Sequence, residues 1–315
     1  MRIHRIIVPT PFYVGPVNLY LIQEDPLTII DVGPRTPESL EALKTGLTRL
    51  GHRLADIKRI IISHAHADHY GLARTVAGES GATVFVHAWD APAVLPANDY
   101  SLYRPLLATV GVPSEVIARM EAGYQKFSGF ASPVDKVEIL NDDDEIVFEH
   151  ESLRVVHTPG HTPGSICLMR SSNRMVIASD TVLKNITPNP VLSPDPVDSR
   201  RRFQGLGEYL VSLARIKDLG PTLVKGGHGD DVSDFDEHFY RLYRFTRARQ
   251  TKLLSLLNAG GSTAWDAAGL LFPDAKGYHR FLALSETVAH LDFAVEEGKL
   301  AIDRRQEKDF YRPVE

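Results

Sequence analysis

An apolar run, RIII at residues 59–62, ends directly in SHAHADHYG, so three histidines and an aspartate fall between His64 and His69. This junction constrains the chain more than any other stretch. RIII reads as a buried strand and GLARTVAGESG (71–81) as a helix, so the cluster lies on a strand-to-helix connection. Histidines two apart on extended backbone point to the same side, which lets His64 and His66 share one metal ion. Asp68 and His69 come as the chain turns and point elsewhere. Donors split between two directions suggest two adjacent ions. Imidazole and carboxylate without thiolate suit Zn²⁺, with iron or manganese as alternatives.

Two ions need more donors than one loop offers. Three later turns, each after an apolar strand, provide them: His161 in HTPGHTPG (157–164), Asp180 in VIASDT (176–181) and His228 in VKGGHGD (224–230). These positions are far apart in the chain, as expected of a site assembled at one edge of a layered fold with one donor loop per strand.

The rest of the chain alternates strands and helices. Strands are expected at 3–8, 19–23, 27–31, 59–63, 83–87, 136–140, 145–149, 153–158, 165–170, 174–179 and 222–226. Helices are expected at 34–51, from the leucine stripe Leu40, Leu43, Leu47 and Leu50, and near 199–219. The acidic run NDDDE (141–145) reads as a solvated hairpin turn between two strands. Residues 94–135 break the rhythm as a mostly helical insertion flanked by Tyr100, Tyr103, Tyr124, Phe127 and Phe130. It is either a surface elaboration or dimer contact, or a lid over a pocket. After about residue 235 three helices and a short hairpin give the outline of a winged helix, with Thr263 and Asp266 at capping-box spacing. Two domains are therefore expected, 1–235 and 236–315.

Charge bears on partners. The net charge is −5, against the basic surplus usual for a nucleic-acid-binding surface. From Tyr240 onward there are 12 basic and 10 acidic residues, against 23 and 30 before it. No apolar run reaches the roughly 18 residues of a membrane span. With one cysteine, Cys167, and no apolar signal-like segment at the start, a cytoplasmic protein is expected.

The motif HAHADH resembles the HxHxDH signature of the metallo-beta-lactamase superfamily, and His161, Asp180 and His228 match its later ligands in order, each after a strand. The resemblance covers roughly residues 1–235. It implies a four-layer αβ/βα sandwich, to which the chain's own pattern adds a helical insertion and a C-terminal winged-helix-like domain. It also implies that His64, His66 and His161 hold the first metal, that Asp68, His69 and His228 hold the second, and that Asp180 bridges them. Zinc beta-lactamases of the best-known kind place a cysteine among the second-metal ligands, where this chain has Asp180. Flavo-diiron oxidoreductases have glutamate in place of His66. Glyoxalase II, lactonases, arylsulfatase-like enzymes and tRNA-processing nucleases keep a pattern like this one. The tail, Arg249–Ile302, resembles the C-terminal winged helix of beta-lactamase-like endoribonucleases.

The implied chemistry is attack by a metal-bridging hydroxide on a carbonyl or phosphorus. Asp68 is suited to a second, catalytic role as hydrogen-bond acceptor for that water. The expected function is a dinuclear hydrolase, with two Zn²⁺, acting on a small ester or thioester in the manner of glyoxalase II. The alternatives are a metal-dependent endoribonuclease and a nucleic-acid-binding regulatory module with a vestigial metal site. A small-molecule substrate is the expected partner, nucleic acid a less favoured one, no membrane, and a homodimer an open option. Tyr70 and Lys184 sit beside ligands as candidate substrate contacts. His87, His157 and Cys167 read as structural, and Arg241, Arg244, Arg247 and Arg249 as a solvated helix face.

Overall fold

The computed structural model describes residues 1–96 and 100–314. Residues 97–99 of the expected insertion, and the side chains of Tyr100, Tyr124 and Phe127, lie outside the described residues. Two mixed sheets form the body. The first runs, in spatial order, β1 (Arg2–Val8), β2 (Val17–Gln23), β3 (Thr28–Ile30), β4 (Arg59–Ile62), β5 (Thr83–His87) and β6 (Glu138–Leu140). It is antiparallel from β1 to β3 and parallel from β3 to β6. The second runs from β7 (Glu145–Val147) at one edge through β8 (Ser152–His157), β9 (Ile166–Arg170) and β10 (Met175–Ser179) to β11 (Leu223–Gly226). In it β10 pairs parallel with β11, and the other pairs are antiparallel.

Each buried strand sorts its side chains by period two. Ile61 joins Tyr20, Ile22, Ile30, Val155, Ile166 and Ile177 in a core between the sheets. Its neighbours Ile60 and Ile62 point the other way, into a core with Leu43, Leu47 and Val76. These last three lie on α1 (Pro37–Arg49) and, after the single turn α2 (Ala67–Tyr70), on α3 (Ala73–Ser80). Thr36 caps α1 by accepting the Ser39 amide, so the helix starts inside the expected 34–51 span. Beyond β5 come α4 (Ala91–Val94), α5 (Tyr103–Thr109) and α6 (Ser114–Phe127). On the outer face of the second sheet, Val156, Val176 and Val224 pack against Leu206, Leu213 and Ile216 of α7 (Gly205–Asp218) and Phe235 and Leu242 of α8 (Phe235–Leu256). Helix, sheet, sheet, helix is the four-layer αβ/βα arrangement.

The structure corrects one expectation and shows where the insertion packs. The acidic run 141–145 is not a hairpin turn, because β6 and β7 belong to different sheets and the run carries the chain across. Its acidic groups are tied down: Asp142 accepts the His157 amide and pairs with Arg215 at 2.9 Å. Nor does the insertion stand apart from the tail. Leu107, Val110, Val112 and Ile117 share one core with Leu253 of α8 and with α9 (Ala264–Leu271), α10 (Tyr278–Glu296), β12 (Leu300–Arg305) and β13 (Lys308–Pro313). Periodicity shows that each segment has an apolar face and is silent on which faces meet.

A buried ionic knot fastens the tail to the connection that precedes α7. Arg202 donates to both oxygens of Asp292 at 2.9 and 3.0 Å and to Asp309 at 2.8 Å, and Tyr311 donates to Asp292 at 2.6 Å. Removing the cation would leave two buried carboxylates uncompensated. Arg202→Met should therefore lose about 3–5 kcal/mol of stability, read as a lower urea midpoint with an unchanged slope.

Candidate metal centre

The donor loops all leave the same end of the sandwich, at the C-terminal ends of β4, β8, β10 and β11, and they bring the seven expected residues together. Three groups have donor atoms within 4.8 Å of one another: His64, His66 and His161; Asp68, His69 and His228; and His64, His69 and Asp180. Asp180 sits between the first two. Its carboxylate lies 3.4 Å from His69 Nε2, 3.7 Å from His161 Nε2 and 3.5 Å from His228 Nε2. Asp68 Oδ2 is 3.5 Å from His228 Nε2 and 3.9 Å from His69 Nε2.

The histidines are held by their far nitrogens. His69 Nδ1 donates to Asp31 at 2.8 Å, His161 Nδ1 to the Asn189 carbonyl at 2.7 Å and His228 Nδ1 to the Pro16 carbonyl at 2.9 Å. Such bonds orient the rings and turn each Nε2 inward. His64 Nδ1 lies 3.0 Å from Ser63 Oγ, which itself sits 2.7 Å from Asp31. On the inner side, the Nε2 atoms of His64, His69, His161 and His228, and Asp180 Oδ1, are buried and have no hydrogen-bond partner. Native folds pair such atoms almost without exception. Five orphans converging on one space fit a pair of cations, and the donor set of nitrogen and carboxylate oxygen fits a divalent metal.

Electrostatics keep His64 and His66 neutral and bind a proton at His69, which a metal ion would displace. Burial, reinforced by the neighbouring imidazoles, pushes His64 well below its ordinary range and His66 to about 3. Burial also disfavours the charged forms of Asp180 and His69, but their mutual attraction and nearby groups win: Asp180 is held well below the carboxylate range and His69 well above the imidazole one.

Several supporting residues escaped the sequence reading. Asp31 accepts from His69, Ser63 and Ser179. Like Asp180 it is an acid ending an apolar strand, a pattern that could have flagged it. Asn18, also buried, donates to the carbonyls of Gly226 and Gly229 at 2.9 Å and so holds the His228 turn. Other candidates take different places. Tyr70 is buried in the outer core. Lys184 faces Asp230 at 3.6 Å on the surface. His87 and His157 stack on each other at 3.9 Å, with Trp89 edge-on to His157, and Cys167 is buried in the second outer core.

Residues 12–228 match the family model of the metallo-beta-lactamase superfamily. The chain is similar to the Bacillus subtilis protein named "Probable metallo-hydrolase YqjP", 30% identical over 292 residues, spanning 90% of this chain and 89% of that one. It is 22% identical over 293 residues to the "Beta-lactamase-like protein 2 homolog" of Caenorhabditis elegans, spanning 92% and 82% of the two chains. Among solved structures, the metallo-beta-lactamase family protein TTHA1429 from Thermus thermophilus superposes with a TM-score of 0.83 at 29% identity, over 99% of this chain and 98% of that one. A beta-lactamase domain protein from Burkholderia ambifaria shares the fold, with a TM-score of 0.81 at 20% identity over 99% and 92%.

Gly227 closes the floor of the centre. A Cβ there would stand 2.1 Å from Asp180 Oδ1 and 3.0 Å from His69 Cε1, so Gly227→Ala must push the Asp180 carboxylate out of line. The variant should bind fewer metal ions per chain than the parent by elemental analysis. Its metal-free form should melt within a few degrees of the parent, which separates loss of the centre from loss of the fold.

Proposed function

Because this chain belongs to the metallo-beta-lactamase superfamily, we propose that it is a metal-dependent hydrolase with a two-metal centre, acting on a small ester or thioester. The observation that carries the reading is the convergence of four unpaired imidazole nitrogens and an unpaired Asp180 oxygen in one buried space. In this reading His64, His66 and His161 hold one ion, Asp68, His69 and His228 hold the other, and Asp180 lies between. Zinc is the favoured metal for these donors. When bound, such ions supply Lewis acidity that activates water and polarises a carbonyl.

The protein's own groups do the rest. Asp180 fixes the separation of the two ligand sets. Asp68 turns Oδ2 toward His69 and His228, and its carboxylate would accept a hydrogen bond from a water held in the centre. Asp31 and the Asn189 and Pro16 carbonyls hold three imidazoles so that no rotamer search precedes each turnover.

The preference for a small substrate over RNA rests on charge. The net charge is −5, and three of the four helical arginines are committed within the fold. Arg241 donates to the Lys184 carbonyl, Arg247 pairs with Glu297 at 2.6 Å, and Arg249 pairs with buried Glu286. A metal-dependent endoribonuclease is the second reading, favoured by one feature, the order of three helices and a hairpin after residue 235.

The test is thiol release from acyl-glutathione and acyl-CoA thioesters by zinc-loaded protein. Release should saturate and fall by at least about 100-fold in Asp180→Ala, more than the loss of a residue that only supports a ligand. A protein that holds two metals, releases no thiol and cleaves single-stranded RNA would overturn the ester or thioester reading in favour of the second.

A further inference from the structure

Asp90 occupies the N-cap position of α4, where an aspartate ordinarily accepts an amide of its own helix. Its side chain makes no such bond. Although 97% of the residue's surface is covered, leaving 3% exposed, the carboxylate is sent elsewhere. Oδ2 accepts the Ala65 amide at 2.7 Å and the Thr162 hydroxyl at 2.8 Å, and Oδ1 accepts the Gly164 amide at 2.7 Å. Ala65 lies between His64 and His66, and Thr162 follows His161 directly. The two loops come from different sheets, β4 from the first and the β8–β9 connection from the second. One buried carboxylate thus grips both loops that carry the His64, His66 and His161 donors, and none of its three hydrogen bonds reaches the His228 turn.

We propose that Asp90 is a positioning residue for the His64, His66 and His161 site, clamping its two loops in the register that lets three imidazoles converge. The inference rests on the two-metal reading above. Pinning the His64–Ala65 peptide sets the plane from which His64 and His66 project to one side. Gripping Thr162 and Gly164 sets the other half. The grip is close: a Cβ on Gly164 would stand 2.5 Å from the Asp90 nitrogen and 2.6 Å from its Cβ and Cγ, so only glycine lets the loops meet. Ser165 extends the clamp, its Oγ lying 2.8 Å from Thr162 Oγ1.

Asp90→Asn keeps the shape and breaks the function of the group. Whichever way the amide turns, its NH₂ faces a backbone N–H. The experiment is titration of metal-free protein with Zn²⁺ against a chromophoric chelator. The parent should show two binding phases, and the phase that survives His228→Ala marks the His64, His66 and His161 site. In that background Asp90→Asn should weaken the surviving phase by about 10–100-fold. In a His161→Ala background it should leave the surviving phase within about twofold, since none of its hydrogen bonds falls on Asp68, His69 or His228. Thr162→Val removes the hydroxyl that bonds Asp90 and Ser165 and should weaken the first phase about fivefold, with Thr162→Ser restoring it, which keeps the test open if Asp90→Asn does not fold. Unchanged affinity in both variants, with only a lower melting temperature, would overturn the inference and leave the two-metal reading intact. A parent that shows no two-phase uptake would overturn that reading and the inference with it.

Discussion

Four imidazole nitrogens and a carboxylate oxygen lie buried without partners at one end of this fold. Each such atom costs about 1–3 kcal/mol when it is left unpaired. A chain that tolerates five of them in one place must hold them there with something stronger than their mutual indifference. The structure does so from behind. Every inward-facing Nε2 without a partner belongs to a ring whose Nδ1 lies against a fixed oxygen, so the orphans cannot relieve themselves by rotating. The anchors are spread over the whole sequence, Pro16, Asp31, Ser63 and Asn189, and this dispersion requires both sheets to end at the same level.

That requirement explains why each sheet places a parallel pair beside the centre. β3 and β4 run parallel in the first sheet, and β10 and β11 in the second. Parallel neighbours present their C-terminal ends side by side, so Asp31 comes beside the His64 loop and Asp180 beside the His228 turn. β1 and β2 return the chain without adding donors; the His228 turn is instead gripped by Asn18 and Tyr20 of β2, both through the Gly226 carbonyl.

Much of this was legible in the sequence, for physical reasons that differ from residue to residue. The run RIII is legible because a strand covered on both faces needs apolar side chains at every position, and Ile60, Ile61 and Ile62 are indeed buried to opposite sides. The donors are legible because they are chemically unusual for their places. Asp31 shares the strand-end pattern of Asp180, but Asp90 is not legible, since a single acid at a helix cap has a common structural explanation, and only distance in space shows that it reaches other loops. The 141–145 run failed for a related reason: acidity and turn composition describe a loop that reverses and a loop that crosses equally well. The shared core of the insertion and the tail could not be read at all, because it depends on contacts between segments more than a hundred residues apart.

The tail is joined to the metal centre by a chain of contacts rather than by proximity alone. The Asn189 carbonyl that orients His161 belongs to a residue whose side chain donates to the Leu282 carbonyl at 2.9 Å and to Glu286 at 3.3 Å, both on α10. Glu286 is in turn paired with Arg249 of α8, and Arg202, further along the same connection as Asn189, is locked onto Asp292. His161 is therefore fixed on its ring side by the C-terminal helices and on its backbone side by the Asp90 clamp. The connection from β10 to α7 has no regular structure of its own to hold Asn189 in place, and α10 supplies what it lacks. In this fold the helices beyond residue 235 are part of the framework that aims a donor, and the insertion that shares their core belongs to the same framework.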